Sequence, residues 1–259
     1  MSINLVKDFM SALVSKGTRE DNRGLFDYRD IQIEVNPLER ACGSAKVTIG
    51  DTQVLVGVKM DVGEPFPDTP EEGILMVNAE LSPLASPDFE SGPPKFNSIE
   101  LARVVDRGIR ESHCIDTSKL CIKPKEKVWM VFVDIYPLNA SGNLLDAAAI
   151  GAIVALQNAV FPVYDEAEEK VKYKEFTKEK LPIERTPVMA TFAKINGTIF
   201  LDPSYREEEV MDARISITTT EKGLLAAMQK GGKGTFTFDE VAMLVDKAFE
   251  IGDNTRKLV

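Results

Sequence analysis

The chain has 259 residues, 44% of them hydrophobic, with a net charge of −10 and a pI near 4.8. That apolar content can bury a sizeable core in one large domain or two packed halves, whereas the acidity excludes the broad basic surface needed to displace counterions from a long duplex. One histidine and three cysteines, with no metal-ligand or C-x-x-C spacing, exclude ordinary zinc sites and leave His113 as the sole candidate for His-dependent nucleophilic catalysis.

Leu5, Val6, Phe9, Met10 and Leu13 fall on one face of a predicted opening helix, with Gly17 at the left-handed C-cap position. The opening MSINLVKDFM lacks a signal-peptide pattern, so a cytoplasmic protein with reduced thiols is expected. The close charges of Arg19, Glu20, Asp21 and Arg23 predict a solvated turn. From Ile31 the pattern alternates with period two, and Gly50-Asp51 between two β-rich runs predicts a tight hairpin. Residues 63–70 and 82–94 read as surface loops around a strand over 73–81. A helix follows over 97–111, with Asn97 and Glu100 spaced as a capping pair. Leu101, Val104, Val105, Gly108 and Ile109 make its apolar face, and Arg103, Arg107 and Arg110 share the opposite one. His113 sits at its end, where an imidazolium complements the helix dipole.

The most strand-like run, 128–135, leads through a short polar loop to the most apolar helix, predicted over 143–160. Asn143 can cap it, and Asp146 takes the third helical position, facing unpaired N–H groups and the positive dipole end. Apolar on nearly every side, this helix must be covered by protein all round. Asp146, Gln157 and Asn158 interrupt it, which argues against a membrane span. Residues 165–180 interleave acids and lysines and predict a solvated linker or short exposed helix. Strands over 188–195 and 198–201 flank Asn196-Gly197, a strong hairpin signal, and further strands are predicted over 213–219 and 223–228. Glu207, Glu208 and Glu209 read as a solvated acidic turn. Thr237 and Glu240 form a capping box for a last helix that shows Val241, Leu244, Val245 and Ala248 on one face and stops at Gly252. Hairpin, strand and helix thus occur in both halves, about 25–160 and 186–252, suggesting a duplicated α+β unit with mixed sheets packed on helices, in a single domain spanning 1–259. No P-loop or G-x-G-x-x-G is present, and no cofactor is implied.

Three segments resemble the RNase PH family of phosphorolytic ribonucleases. The most specific is G-S-A-x-V-x-x-G-x-T-Q-V-L-x-G-V-K, from Gly43 to Lys59. Arg19-Glu20-Asp21-Asn22-Arg23 is similar to the family's R-x-D-G-R element, and the order of strand, polar loop, Gly and Ala-rich helix around Asn143 resembles its phosphate-binding region. The resemblance extends over most of the chain, weakest at 165–180, and implies the two-lobed RNase PH-like (ribosomal protein S5 domain 2-like) fold. In active members the loop before the Ala-rich helix reads D-x-G-T-R, and its Thr–Arg pair holds the attacking phosphate. Asn143, Leu144 and Leu145 stand at G-T-R here. Another phosphate arginine precedes the S-x-E-I helix start in active members, and Asn97 takes its place. A neutral amide and two alkyl chains cannot hold a phosphate dianion, so the resemblance implies a non-catalytic member. Asp212 stands where active members carry an aspartate proposed to bind metal or act as an acid. Alone, it reads as a vestigial acid or a turn residue.

Within the family the chain resembles the non-catalytic RNase PH-like subunit of the archaeal exosome. That subunit alternates with a catalytic paralogue in a six-membered ring, capped by subunits bearing S1 and KH or S1 and zinc-ribbon modules. The ring degrades single-stranded RNA from 3' to 5'. Arginines of the helix matching 97–111 reach RNA there, which implies RNA binding by Arg103 and Arg107, with Arg110 a third candidate. The competing account of the same arginines is an exposed network of Glu100–Arg103, Asp106–Arg110 and Arg107–Glu111 ion pairs. A rival function is an active phosphate-dependent exoribonuclease whose clamp uses Lys123, Lys125 or Arg185. A third is a scaffold without RNA contact.

Overall fold

The computed structural model describes residues 3–259. Helix α1 (Ile3–Val14) leads into a six-stranded sheet of β1 (Ile31–Val35), β2 (Gly43–Ile49), β3 (Thr52–Gly63), β4 (Ile74–Ala79), β5 (Cys121–Lys123) and β6 (Lys127–Asn139). Its order is β1-β2-β3-β6-β4, with β5 also on β6. Only β4 runs parallel to its neighbour, Val77 opposite Val133. The β2–β3 turn sets Ile49 opposite Thr52, and Gly50 supplies the positive φ, +56°, that such a turn needs. Alternation then decides which face is buried: Val47, Val54, Val56, Val58, Val131, Val133 and Ile135 all point one way. Strand β6 is longer than the predicted run and is buried on one face only, with Tyr136 on the open side.

Helices α2 (Phe96–Glu111) and α3 (Leu144–Gln157) cover the buried face. α3 lies directly on β2, since a Cβ on Gly43 would stand 2.2 Å from the Ala155 carbonyl oxygen. A second, four-stranded sheet has the order β10-β9-β11-β12, from β9 (Val188–Ile195), β10 (Thr198–Leu201), β11 (Ala213–Thr220) and β12 (Leu224–Gly232). Helix α5 (Phe238–Thr255) closes its core of Phe192, Leu201, Ile215, Ile217, Leu244 and Ala248. α3 also packs against β9, so it is wedged between the two sheets. This is why its sequence is apolar all round.

Several expectations change. Residues 165–180 form neither a linker nor a helix but most of a two-stranded arm, β7 (Val160–Asp165) and β8 (Lys170–Lys180). Trp129 anchors it through the rings of Phe161 and Tyr164, at 5.2 and 6.1 Å, and interleaved charge is what an exposed edge strand carries. Val160 accordingly opens β7 and does not end α3. On α1 the buried face is Met10 and Val14, whereas Leu5 and Phe9 are exposed. Gly252 does not stop α5; it lies inside the helix because Thr219 crosses there, 2.5 Å from where a Cβ would be. None of the described helices is long and apolar enough to cross a membrane.

Candidate nucleic-acid interface

Asn143 takes a left-handed conformation (φ 52°, ψ 46°) at the N-cap of α3, and its side chain accepts from the Asp146 N–H. Asn, with Asp, adopts that conformation more readily than other non-glycine residues. Its amide group donates to both Asp146 and Asp202, each at 2.8 Å, and its backbone N–H donates to Glu208 Oε1 at 2.8 Å. The fully buried Asp202 accepts from Arg23 Nη1 at 2.7 Å and from Arg29 Nη2 and Nε at 2.8 and 2.9 Å. Arg29 also donates to the carbonyls of Ser141 and Gly142. Gly142 (φ +91°) is pressed so closely on the 203–205 backbone that a Cβ would lie 2.4 to 2.5 Å from it. The loop before α3 is therefore clamped shut by the second sheet's side of the molecule.

The positive end of α3 favours an anion, and three of the chain's own carboxyl groups gather at its N-cap: Glu208 on the Asn143 N–H, Asp146 and Asp202 on the Asn143 side-chain amide. Asp146 accepts from the Thr191 N–H and hydroxyl, the Tyr28 hydroxyl and Asn143. Burial nevertheless pushes its carboxyl up to about 6. Burial also pushes Glu208 up to about 7, against the pull of the Asn143 N–H and of Arg214 and Arg29. Asp202 is held below the usual range: burial opposes its charge, but Arg29 and Asn143 outweigh that. A phosphate dianion brought here would meet this acidic cluster.

Asn97, Leu144 and Leu145 are brought together: with Met211, Glu208 and Arg214 they line one cavity of about 430 Å³. Leu144 and Leu145 give it an alkyl wall. Asp212 does not line it. It precedes β11, pairs with Lys7 at 2.7 Å and accepts from the Asn196 N–H at 2.7 Å, contacts that hold its carboxyl below the usual range. The rival clamp residues lie elsewhere too. Lys123 pairs with Glu126, Lys125 sits in a turn at φ 66°, and Arg185 donates to the Ser112 carbonyl.

Two more expectations are corrected here. Arg19 is not in a solvated turn: at 2% exposure it pairs with Glu207, donates to the carbonyls of Leu201 and Asp202, and lies over the Phe200 ring at 4.9 Å. Glu207 and Glu208 are likewise no solvated turn, since they lie on the short helix α4 (Tyr205–Val210), where Glu207 is buried and completes a capping box with Ser204.

On α2 the predicted capping pair does not form. Lys95 is the N-cap without a side-chain bond, and Glu100 turns to Arg214 Nη2 at 2.6 Å. Of the three predicted intrahelical pairs only Asp106–Arg110 is present, at 2.8 Å, and Arg110 also donates to the Leu75 carbonyl at 3.0 Å. Arg103 and Arg107 are exposed and have no carboxylate within salt-bridge reach among the described residues. The sequence offered no local signal for Arg29, Asp202 or Arg214, whose partners lie far away in the chain.

The two sheets with α3 wedged between them are the fold of an RNase PH-type protein. Residues 27–162 match the signature of the 3' exoribonuclease family, domain 1, and residues 186–251 that of domain 2, so the chain belongs to this family. It is 48% identical to exosome complex component Rrp42 of Thermococcus onnurineus over 99% of this chain and 94% of that protein, and 48% identical to the same component of Pyrococcus furiosus over 98% and 92%. Among solved structures it is similar to a chain of the Archaeoglobus fulgidus exosome with RNA bound to the active site (45% identity, TM-score 0.90, 98% of each chain). A chain of an archaeal exosome core gives 41% identity, a TM-score of 0.85 and coverage of 98% and 96%. Rice Rrp46, at 18% identity and a TM-score of 0.67 over 92% and 98% of the chains, shares the fold.

Proposed function

We propose that this chain is a non-catalytic component of an archaeal exosome, assembling with a catalytic RNase PH-like paralogue in an alternating hexameric ring and guiding single-stranded RNA toward that paralogue's active site. The observation that carries this is a contrast: at the N-cap of α3 the donors of Asn143 are taken by Asp146, Asp202 and Glu208, while Arg103 and Arg107 on α2 are exposed without a carboxylate within salt-bridge reach among the described residues. Phosphorolysis needs phosphate held as nucleophile beside a polyanionic RNA end, hence convergent cationic or N–H donors. Those donors are spent on carboxylates here. Guidance of RNA needs only exposed guanidinium groups, which fork onto phosphates in a way lysine cannot reproduce. S1/KH or S1/zinc-ribbon cap subunits and a cytoplasmic location belong to the same proposal.

The test is RNA affinity of the assembled ring across a salt series. Arg103→Ala/Arg107→Ala should weaken binding and reduce the salt slope by roughly 1.4, about 0.7 for each lost single-strand phosphate contact, with the ring intact. An unchanged slope would mean that these arginines do not touch RNA.

A further inference from the structure

Arg103 has a carboxylate on either side of it at helical spacing, Glu100 three residues before and Asp106 three after. On an isolated helix either would pair with it. Neither does. Glu100 reaches across to Arg214 on β11, with only 18% and 12% of the two side chains exposed. Asp106 accepts from both Nε and Nη2 of Arg110, at 3.1 and 2.8 Å, and Arg110 is itself fastened to the Leu75 carbonyl. Each acid next to Arg103 is thus held by another arginine.

We infer that Arg214 and Arg110 are positioning residues: they draw Glu100 and Asp106 away from Arg103 and so keep its guanidinium free for an RNA phosphate. This rests on the RNA-guiding function proposed above. The arrangement acts through side-chain choice and not through helix placement, because α2 is fixed independently. Leu101, Val104, Val105 and Ile109 are buried, and Gly108 abuts Thr218, whose Oγ1 would lie 3.2 Å from a Cβ there. Without Arg214, α2 stays where it is, while Glu100 loses its partner and is left one turn from Arg103. A carboxylate there neutralises the guanidinium and repels the incoming phosphate.

The experiment uses the full chain assembled with its catalytic paralogue, a labelled single-stranded RNA and anisotropy titrations over a potassium chloride series. Arg214→Met should mimic Arg103→Ala, lowering affinity roughly three- to tenfold and the salt slope by about 0.7. Adding Glu100→Gln to Arg214→Met should restore affinity to within about twofold of the unmodified ring. Rescue of this kind is what a merely structural role would not give. Arg110→Met with and without Asp106→Asn is an independent pair, which decides the matter if Arg214→Met fails to assemble by light scattering. The inference is overturned if Arg103→Ala weakens binding while Arg214→Met and Arg110→Met do not, or if neither acid-to-amide change rescues its partner. If Arg103→Ala itself leaves affinity unchanged, the RNA-guiding function fails and takes this inference with it.

Discussion

Replacing Arg19 by methionine perturbs a fully enclosed ion pair. The guanidinium is 2% exposed, its carboxylate partner Glu207 equally so, and the pair joins the turn after α1 to α4. Removing one member of a buried ion pair leaves the other uncompensated, at a cost of about 3–5 kcal/mol. The carbonyls of Leu201 and Asp202 each lose a donor, adding about 1 kcal/mol, and the contact with Phe200 adds about 0.5 kcal/mol more. Methionine fills most of the volume, so little cavity term is expected. Chemical denaturation should therefore show a loss of about 4.5–6.5 kcal/mol, and a melting temperature lower by roughly 10–25 °C for a chain of this size. Arg19→Met/Glu207→Leu should recover most of it, because a matched apolar pair removes the stranded charge. A loss below about 1 kcal/mol for Arg19→Met, as expected of a solvated turn, would refute the argument.

Two further outcomes are expected. Asp146, whose folded carboxyl lies near 6 against an ordinary 3.8, gives stability that is fully present below about pH 4 and lost as pH rises through 6, about 3 kcal/mol in all. Glu208 acts in the same direction up to about pH 7. Urea denaturation between pH 5 and 7 should show stability falling with pH, less steeply in Asp146→Asn; a rise across that window would count against it. Mixing the chain with a catalytic RNase PH-like paralogue should give one larger species by light scattering, and separate elution over a wide concentration range would contradict the proposed ring.

The core of the fold was legible because its signals are local. Period-two alternation marked β2 and β3, Asn196-Gly197 takes positive φ at both positions of the second hairpin, and the all-round apolar helix is the element between the two sheets. Charged segments were misread for a single reason: a charge in a sequence does not say whether its partner is water or another part of the chain. Arg19 finds Glu207 across 188 residues, Arg29 finds Asp202 across 173, and Glu100 finds Arg214 across 114. Nothing local marks those pairings, yet Arg29 ties the loop before α3 to Asp202 and Arg214 draws Glu100 away from Arg103. The arm β7–β8 was missed because its interleaved charge masks alternation, and its anchor, Trp129, lies on β6.

The proposal turns on the loss of phosphorolytic chemistry at α3, and the isolated chain tests it directly. Rigorously purified protein is incubated with single-stranded RNA, Mg²⁺ and inorganic phosphate, and nucleoside diphosphates are quantified. With Leu144 and Leu145 at the clamp and three carboxylates around the helix end, no release above a protein-free control is predicted. Phosphate-dependent shortening of the RNA, abolished by Asp212→Asn, would contradict it.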